Sequence, residues 1–402
     1  MRYQETPHKI LILGGGYAGV MAAARLARNR VRAEITLIDA RPELVQRIRL
    51  HETLAGSSPK TLPYERALAR RGIRFVQARV ESLEPWRRKV LARTPGGERL
   101  QMEYDTLIYA LGSRTSTPVP GVALNAVRLD DPAELRTTYE RLGDMSKVLI
   151  VGGGLTGIEA ATELAERFPG LRITLATRGR LGDGWSPAAT EHFLQRFREL
   201  EIELREGVAV QSIEEGRALT SGEAIPFDLC IWAGGFEALP LARKAGLPTD
   251  AAGRIRVDDT LRVPGHPEIF AAGDSAAAAG AGGWMIRMGC VSALPMGAYV
   301  GENVARVLRG QEPKPFPFAI VIRCVSLGRK DGLVQFTAAD DTPAGKVWTR
   351  RMGVIVKELI CQMTYWVMRG ELSLGIRLYR WAGAPKHFAP AAVPMEGMEG
   401  RR

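Results

Sequence analysis

Two glycine-rich turns carry the clearest chemical signal in this chain of 402 residues. Both have the spacing G-x-G-x-x-G directly after an apolar stretch. In such a turn the first glycine permits a tight bend, the second lets the backbone approach a pyrophosphate, and the third allows close packing of the following helix. Free N–H groups at the start of that helix favour the negative charge. We therefore predict two dinucleotide sites, one at Gly14, Gly16 and Gly19 and one at Gly152, Gly154 and Gly157.

Residues at the end of the strand that follows each turn should decide which dinucleotide binds. Asp39 can accept hydrogen bonds from the ribose hydroxyls of an adenosine, with a simple capping role as the alternative. The second copy has Thr177 at this position, followed by Arg178 and Arg180. A threonine and two arginines can bind and neutralise a 2′-phosphate, which a carboxylate would repel. The sequence therefore favours NADPH over NADH in the second site, unless the arginines are merely solvated loop residues.

An internal repeat places both turns in matching elements. Residues 9–19 recur as residues 147–157, and residues 35–39 recur as residues 173–177, with an offset of 138 in both cases. Each copy consists of an apolar strand, the turn, an alanine-rich helix and a second strand, which together form a βαβ unit. The sequence thus predicts an α/β protein with two Rossmann-like, three-layer dinucleotide-binding domains.

Two further stretches resemble a known superfamily of flavoproteins. Residues 104–112 are similar to the strand and A-x-G turn that closes the FAD site in flavoproteins with two dinucleotide-binding domains, and residues 269–274 are similar to their second FAD fingerprint. The chain is identified as a member of this FAD-dependent pyridine nucleotide oxidoreductase superfamily from residue 9 to around residue 310. The resemblance implies FAD in the first site and adds Ala110, Gly112, Gly273 and Asp274 to its residues.

Within the superfamily, three motifs resemble the type II NADH:quinone oxidoreductase branch. The resemblance implies that Glu159 lies near the bound nicotinamide and that the backbone at Val80 lies near the adenine of FAD. A helix N-terminal carboxylate without a catalytic role is the alternative for Glu159. Residues 287–296 depart from the pattern Ala-Gln-x-Ala that marks the quinone site of this branch. The three motifs are residues 50–56, 152–159 and 326–332.

His51 and Glu52 are the polar candidates near the electron acceptor. Their predicted helix follows the strand that ends at Asp39, and a histidine could supply a proton to a reduced quinone. A surface or capping pair is the alternative. Gly234, after the apolar strand 229–233, should lie where the backbone of the second domain passes close to ligand or flavin, with an ordinary turn as the alternative.

Composition excludes several classes of protein. The four cysteines are far apart and absent from the first 229 residues, which predicts no metal site and no disulfide framework and argues against disulfide reductases and sulfide:quinone chemistry. A formal charge of +11 fits nucleic acid, an anionic membrane or polyanionic cofactors, but no basic tail or zinc-finger spacing favours nucleic acid. The short apolar run that begins at Lys9 is no secretory signal. A cytoplasmic location, or one on the cytoplasmic face of the membrane, is expected.

The segment from Lys346 changes in character. Apolar residues recur at helical spacing among basic ones, and Lys357 and Glu358 interrupt them, so a transmembrane helix is not expected. Residues 346–386 could lie on anionic lipid, pack on the FAD domain or contact a homodimer partner. The tail beyond Ala389 is expected to be mobile. The apolar positions are Met352, Ile355, Val356, Leu359, Ile360, Met363, Trp366 and Val367.

Together these features predict an FAD-binding domain from residues 1–113 and 240–315, an inserted nicotinamide-binding domain at 114–239 and a C-terminal α-rich extension at 316–402. Hydride would pass from NADPH, or NADH, to FAD, and electrons would then pass to a quinone-type acceptor. Three alternatives are open at this stage. They are a soluble FAD reductase or oxidase of a small aromatic or quinonoid metabolite, an NADPH:ferredoxin-type reductase, and a protein whose flavin is only structural.

Overall fold

The structure is a computed structural model, and it describes residues 7–280, 283–381 and 383 of the chain. The tail beyond Ala389, for which mobility is expected, lies outside these residues. Residue 382 and residues 384–386 of the predicted membrane-contact segment lie outside them as well.

Both copies of the predicted strand–helix–strand unit are present, at residues 8–39 and 147–176, and a run of further strands follows each copy later in the chain. The strands, in chain order, are β1 (His8–Leu13), β2 (Ala33–Asp39), β3 (Ile73–Gln77), β4 (Arg79–Glu84), β5 (Lys89–Arg93), β6 (Arg99–Glu103), β7 (Thr106–Tyr109), β8 (Ser113–Thr115), β9 (Val127–Arg128), β10 (Lys147–Val151), β11 (Arg172–Ala176), β12 (Glu203–Arg205), β13 (Val210–Glu214), β14 (Arg217–Thr220), β15 (Ile225–Pro226), β16 (Leu229–Trp232), β17 (Phe236–Ala238), β18 (Ile255–Arg256), β19 (Arg262–Val263), β20 (His266–Ala271), β21 (Ala276–Ala277), β22 (Ile322–Ser326), β23 (Gly332–Thr337) and β24 (Pro343–Thr349). The α-helices are α1 (Tyr17–Arg28), α2 (Leu50–Leu54), α3 (Tyr64–Ala69), α4 (Val122–Asn125), α5 (Pro132–Arg141), α6 (Leu155–Arg167), α7 (Pro187–Glu199), α8 (Leu241–Lys244), α9 (Cys290–Val307) and α10 (Arg350–Leu374). Short 3₁₀ turns lie at Arg47–Arg49, Pro85–Arg87, Leu142–Asp144 and Gly273–Ser275.

The first large sheet is built from two separated parts of the chain. Its strand order is β19-β20-β7-β1-β2-β3, and all neighbours are parallel except β19 and β20. Ile10 lies beside Ile35 on one side and beside Thr106 on the other. Most of β1 and all of β7 are buried, which explains why these strands are continuous apolar runs. Helix α9 crosses α1 closely, because a Cβ on Gly297 would lie 2.1 Å from the carbonyl oxygen of Ala18.

The second large sheet repeats this plan. Its order is β12-β11-β10-β16-β9, with parallel neighbours throughout, and Ile150 lies between Leu175 and Ile231. The antiparallel strands β8 and β17 pair where the chain passes between the two large sheets. The predicted α/β class with two Rossmann-like units is confirmed, while the residue limits of the domains stay a prediction. The smaller sheets are β4-β5-β6, β13-β14-β15 and the parallel pair β18-β21.

The C-terminal extension contains a sheet as well as the predicted helix. Strands β22, β23 and β24 form an antiparallel sheet directly before α10. This sheet was not predicted from the sequence. Its strands carry polar residues such as Arg323 and the fully buried Gln335, so they lack the regular apolar alternation that would have indicated them.

The packed face of α10 differs from the face that the apolar pattern indicates. The helix packs on the rest of the protein through residues such as Gly353, Cys361, Tyr365 and Met368. This side mixes small, polar and aromatic residues, and its hydropathy is therefore modest. The alternative that this segment packs on the FAD domain is confirmed, because Tyr365, Met368 and Leu372 belong to the core of the first Rossmann-like unit. The predicted apolar stripe is not the face that packs, and most of it is exposed. Within the described residues, no helix has the length and apolar character that a bilayer span requires. The exposed apolar residues of α10 include Met352, Ile355, Leu359, Met363 and Trp366.

A buried arginine fastens the end of α10 to α1. Arg25 is fully buried, and its guanidinium donates to the Glu371 carboxylate at 2.6 and 2.8 Å. It also binds Glu302 on α9 and donates to the carbonyl oxygen of Tyr379. The Glu371 carboxylate in turn accepts the N–H groups of Leu378 and Tyr379. The segment that follows α10 is therefore fixed to the first Rossmann-like unit.

Candidate active site

The first glycine turn has the geometry that a phosphate-binding loop requires. Gly14 has a φ of +98°, and a Cβ there would lie 2.3 Å from the carbonyl oxygen of Ala110. A Cβ on Gly19 would lie 1.8 Å from the carbonyl oxygen of Gly14, so only glycine lets the helix approach the turn. At Gly16, by contrast, no described atom lies within 4 Å of the Cβ position. The turn closes tightly on itself and leaves open space in front of its middle glycine.

The second turn repeats this geometry. Gly152 has a φ of +127°, and a Cβ there would lie 2.4 Å from the carbonyl oxygen of Ala233. A Cβ on Gly157 would lie 1.9 Å from the carbonyl oxygen of Gly152. Around Gly154 the described residues leave the Cβ position open to 4 Å. The roles of the six glycines in binding stay a prediction, but their backbone has the conformation that these roles need.

The helices that follow the turns begin with N–H groups available to an anion. In the part of the chain that the structure describes, neither α1 nor α6 has a side-chain N-cap or an acidic residue in its first turn. The first N–H groups of a helix have no partner inside the helix, and the helix dipole favours negative charge at this end. Open space and free donors together fit the pyrophosphate groups of FAD and of NAD(P)H.

Asp39 and Thr177 occupy equivalent places beside the two turns. One oxygen of the Asp39 carboxylate accepts the N–H of Gly15 at 2.6 Å, and the other accepts the N–H of Arg41 at 2.8 Å. Thr177 is buried against the second turn, where a Cβ on Gly153 would lie 2.7 Å from the threonine Oγ1. Each strand-end side chain therefore borders its glycine turn, as a group that contacts the adenosine ribose must.

Arg178 and Arg180 extend the second site into solvent. Both residues are exposed, and neither guanidinium forms a hydrogen bond or an ion pair with a described residue. The loop around them is ordered by two carboxylates, because Asp183 accepts the backbone N–H of Arg180 and Glu206 accepts that of Leu181. The two guanidinium groups are thus available to a ligand.

Asp274 joins two segments of the first unit. Its carboxylate accepts the hydroxyl of Ser113 at 2.6 Å and the N–H of Gly289 at 2.7 Å. Gly289 directly precedes α9, so Asp274 links the A-x-G turn to the beginning of that helix. Gly273 has a φ of +72°, and a Cβ there would lie 3.1 Å from the Cβ of Ala18 on α1. The second FAD fingerprint therefore lies beside the first glycine turn, which fits one FAD bound to both.

The remaining predicted cofactor residues have different environments. Ala110 is buried against the Gly14 turn, and Gly112 has a φ of +71° with open space at its Cβ position. Val80 is half-buried in β4, which packs beside β2. A Cβ on Gly234 would lie 2.7 Å from the ring of Trp232. Packing against this tryptophan is enough to require a glycine at position 234, in agreement with the ordinary-turn alternative.

The structure brings the three predicted catalytic residues together in one buried cluster. His51 and Glu52 lie on α2 and Glu159 lies on α6, and their exposed fractions are 3%, 6% and 8%. Nδ1 of His51 is 3.6 Å from Oε2 of Glu159. The alternative of a surface or capping pair for His51 and Glu52 is wrong, because α2 packs against α6 and buries both side chains.

Lys357 on α10, which was not predicted to be a site residue, completes this cluster. Nζ of Lys357 is 2.8 Å from Oε1 of Glu159, and only 15% of the lysine side chain is exposed. The backbone N–H of Ser326 donates to the same carboxylate oxygen at 3.1 Å. The only sequence signal was that Lys357 interrupts an apolar run, which cannot name a partner nearly two hundred residues away.

The charges of this cluster fix its protonation at neutral pH. Burial lowers the pKa of His51 below its ordinary value, although the Glu159 carboxylate opposes this. Burial disfavours the charge on Glu159, but Lys357 and His51 outweigh it and hold the pKa of Glu159 below its usual range. Glu159 likewise outweighs the burial of Lys357 and raises the lysine pKa well above its ordinary value. The resting state is therefore a carboxylate and an ammonium beside a neutral imidazole, whose buried Nε2 has no hydrogen-bond partner among the described residues.

The cysteines offer no competing chemistry. Cys230 is buried in β16, and burial raises the pKa of Cys290 to about 11 and that of Cys361 to about 12. A thiol must ionise to act as a nucleophile, so these side chains are unreactive near neutral pH.

Comparison with known proteins identifies the family of this chain. The chain belongs to the pyridine nucleotide-disulphide oxidoreductase family, because the sequence pattern of that family matches residues 8–298. It is accordingly a flavin-dependent oxidoreductase that uses a nicotinamide dinucleotide, and FAD and NAD(P)H are its cofactors.

Two relatives and one solved structure illustrate the similarity. An NADH dehydrogenase-like protein of Mycobacterium tuberculosis is 30% identical over 331 residues, which are 75% of this chain and 81% of the relative. The type II NADH:quinone oxidoreductase of Staphylococcus aureus is 26% identical over 368 residues, or 81% of this chain and 89% of the relative. The sulfide:quinone oxidoreductase of Aquifex aeolicus superimposes with a TM-score of 0.78 at 19% identity, covering 94% of this chain and 99% of its own, which establishes a shared fold. The predicted superfamily and its branch are confirmed.

Proposed function

We propose that the protein transfers a hydride from NADPH to FAD and then reduces a quinone. The observation that carries this proposal is the buried set of Glu159, His51 and Lys357 at the meeting point of both Rossmann-like units and the C-terminal extension. FAD, when bound, accepts the hydride and gives up two electrons. The relative from Staphylococcus aureus is named as a quinone reductase, which supports the choice of acceptor.

The buried set would supply the proton that the reaction consumes. Reduction of a quinone to a hydroquinone by NADPH takes up one proton in addition to the hydride. The resting charges keep the proton on Lys357, so it moves only when the reduced quinone takes a proton from His51. It then passes from Lys357 to Glu159, which is 2.8 Å away, and from Glu159 to Nδ1 of His51. The neutral ring is ready to accept this proton and to release another from Nε2, which has no protein partner in the described structure. Lys357 then regains a proton from solvent.

NADPH rather than NADH is the proposed reductant. Thr177 stands where a carboxylate would select the free ribose hydroxyls of NADH, and its hydroxyl can bind a 2′-phosphate. Arg178 and Arg180 follow it, and their exposed guanidinium groups have no acidic partner among the described residues. The name of the Staphylococcus aureus relative specifies NADH, so this preference would distinguish the present chain from that relative.

Anaerobic stopped-flow measurement of flavin bleaching tests the reductant. We expect the double variant Arg178→Ala/Arg180→Ala to bind NADPH about 10- to 100-fold more weakly, because the two lost charge-assisted hydrogen bonds to a solvent-exposed phosphate together contribute about 1.4 to 2.8 kcal/mol. Bleaching by NADH should change little. Arg136→Ala is the matched control, since Arg136 is an exposed arginine on α5 of the same unit and does not line the cavity that Arg180 borders. Equal bleaching of wild-type protein by NADH and NADPH would contradict the preference, and no bleaching by either would contradict the proposed function.

The exposed apolar face of α10 is proposed to rest on an anionic membrane, where a quinone would be available. Its residues recur every three or four positions, so they form one stripe along the helix. Two cations border the stripe at Trp366, with the Lys60 ammonium 4.7 Å and the Arg369 guanidinium 5.1 Å from ring centroids. Apolar contact combined with basic residues is typical of helices that lie in the interface of anionic lipid.

Sedimentation with lipid vesicles tests this surface. Leu359 is 63% exposed at the middle of the stripe, and Leu359→Glu should reduce binding to phosphatidylserine-containing vesicles at least about 10-fold, because a charge replaces a side chain that would enter the lipid. Leu124→Glu is the matched control, since Leu124 is 89% exposed on α4 and far from the stripe in sequence. Unchanged binding of Leu359→Glu would contradict the membrane proposal. If Leu359→Glu instead converts a dimer of the protein into a monomer, the stripe on α10 is the contact surface for a second copy of this chain.

A further inference from the structure

One loop connects the proposed relay to the start of α10. This loop, residues 326–332, lies between β22 and β23 and has no role in the function proposed above. The N–H of Ser326 at its beginning donates to Glu159. Near its end, Oδ1 of Asp331 accepts the N–H of Arg350, the first residue of α10, at 2.9 Å. The loop thus connects the helix that carries Glu159 with the helix that carries the lysine of the relay.

Arg329 in the middle of this loop bridges two buried carboxylates. Its Nε is 2.8 Å from Oε1 and 3.0 Å from Oε2 of Glu163, which is 4% exposed and lies one helical turn after Glu159 on α6. Its Nη1 is 3.4 Å from Oε1 of Glu52, the neighbour of His51 on α2. Among the described residues, Arg329 is the one cation in ion-pair contact with Glu163.

The charges at this partly buried junction do not balance. Four carboxylates meet three cations, so the junction carries one excess negative charge if every group is ionised. Burial raises the pKa of Glu163 to about 7, with Arg329 opposing this, and the excess charge is therefore partly removed by a proton on Glu163. Removal of Arg329 would leave four carboxylates with two cations. The carboxylates are Glu52, Glu159, Glu163 and Glu358, and the cations are Arg49, Arg329 and Lys357.

We propose that Arg329 is a positioning residue for proton transfer: by bridging Glu163 and Glu52 it holds α2 against α6 and sets the pH range in which the His51–Glu159 pair passes a proton. This inference rests on the proposed quinone reductase function and deepens it. Arg329 acts through the pair and does not itself hand on a proton, since a guanidinium stays charged at any pH the protein meets.

Other groups around the pair belong to the same electrostatic environment. The pKa of the His51 imidazole is affected most by charges on α2, α6, α10 and the 326–332 loop, and further charged groups lie behind these. The titratable and charged groups that surround the pair are Arg49 in the 3₁₀ turn before α2, Glu52 on α2, Glu163 and Glu166 on α6, Arg196 on α7, Cys324, Arg329 and Asp331 from β22 and its loop, and Lys357, Glu358 and Cys361 on α10.

The sign of the expected effect follows from the lost charge. A cation lowers the pKa of every group near it, and Arg329 lowers that of His51 and that of Glu163. Arg329→Gln should therefore move the ionisation midpoints of turnover to higher pH, by about one pH unit for a charge several ångströms away in a partly buried site. Replacement of Glu163 by glutamine in the same protein removes one negative charge and should return the midpoints to near their wild-type position.

The experiment compares pH profiles of full-length, flavin-loaded variants. Steady-state reduction of a short-chain ubiquinone analogue by NADPH is measured across the neutral range for wild type, Arg329→Gln, Arg329→Lys and Glu163→Gln/Arg329→Gln. Arg196→Gln is the matched control, because Arg196 binds Glu166 and the carbonyl oxygen of Leu327 in the same loop but does not contact Glu163 or Glu52. The pKa of His51 is also followed by NMR of the imidazole protons, which requires no turnover and is practical with five histidines in the chain.

We expect an upward shift of about one unit in Arg329→Gln, a smaller shift in Arg329→Lys, near-complete reversal in the double variant and little shift in Arg196→Gln. The His51 pKa should shift in parallel. Unchanged midpoints and an unchanged His51 pKa in Arg329→Gln would overturn the inference, and so would a shift of equal size in Arg196→Gln. If wild-type protein fails to reduce quinone while its His51 pKa responds to Arg329 as expected, the proposed function fails and the electrostatic role of Arg329 stands.

Discussion

Gly154→Ala is expected to weaken NAD(P)H binding by about 10- to 100-fold while the protein keeps its fold. The residue has φ −77° and ψ 177°, which alanine adopts readily, and no described atom lies within 4 Å of the new methyl group. Loss of glycine at an N-cap should reduce stability by only about 1 kcal/mol. The methyl group would instead occupy the space in front of α6, and the pyrophosphate could no longer reach the helix N–H groups.

Gly157→Ala is the matched variant with the opposite expectation. A Cβ at this position would lie 1.9 Å from the carbonyl oxygen of Gly152, so the turn and α6 must separate. We expect a loss of stability of about 3 kcal/mol together with the loss of binding, as for other overpacked sites. Melting temperature and the NAD(P)H concentration dependence of flavin bleaching would be measured for both variants. Wild-type affinity in a stable Gly154→Ala protein would show that the pyrophosphate does not pass over this turn.

The same comparison applies to the first unit. Gly16 has an open Cβ position like Gly154, and Gly19 meets the carbonyl oxygen of Gly14 like its counterpart in the second copy. Flavin retained after purification is the measurement there. Gly16→Ala should lower FAD content in a folded protein, whereas Gly19→Ala should lower both FAD content and stability.

These glycines could be predicted from sequence because their requirements are local. The spacing of each turn follows from contacts within about six residues, and the repeat of that spacing after 138 residues identified two copies of one unit. The strand-end positions of Asp39 and Thr177 were equally predictable, since a buried parallel strand of known length fixes where its last residue lies.

The proton relay could be predicted only in part. His51, Glu52 and Glu159 were identified from their motifs, yet their contact depends on the packing of α2 against α6. Lys357 was missed as a relay residue, because helical periodicity shows which residues of α10 share a face but not which face has a partner. The face that packs contains glycine, cysteine, threonine and a buried lysine partner for Glu159, and such a face has no strong apolar signal.

Arg25 was also beyond prediction, and for a related reason. It lies in an alanine-rich helix, where an arginine is normally on the solvent side. Its burial depends on Glu302 and Glu371, which are 277 and 346 residues away in sequence. A buried charge of this kind can exist only if its partners are in place, so the position of α10 and the burial of Arg25 require each other.

Arg25→Met is therefore expected to destabilise the protein by about 3 to 5 kcal/mol, the usual cost of leaving a buried carboxylate without its cation. The Glu371 side chain is 1% exposed, and among the described residues its carboxylate would keep only the backbone N–H groups of Leu378 and Tyr379 as partners. Because α1 begins at the first glycine turn, loosening of α10 should also release FAD. Urea unfolding followed by circular dichroism, with free flavin fluorescence recorded in parallel, measures both effects.

The double variant Arg25→Met/Glu371→Met separates the ion pair from simple packing. Replacement of both charges by apolar side chains of similar length removes the unpaired carboxylate, and we expect it to recover at least half of the lost stability. Arg309→Met is the control for an exposed arginine, since within the described part of the chain the Arg309 guanidinium forms hydrogen bonds only with Asn29, directly after α1. A decrease of less than about 1 kcal/mol in the free energy of unfolding of Arg25→Met, which is the range of exposed ion pairs, would contradict a stabilising role of the buried Arg25–Glu371 pair. Recovery of stability and flavin content in the double variant would show that packing of α10 on α1 is enough to hold the FAD site once no carboxylate is left unpaired.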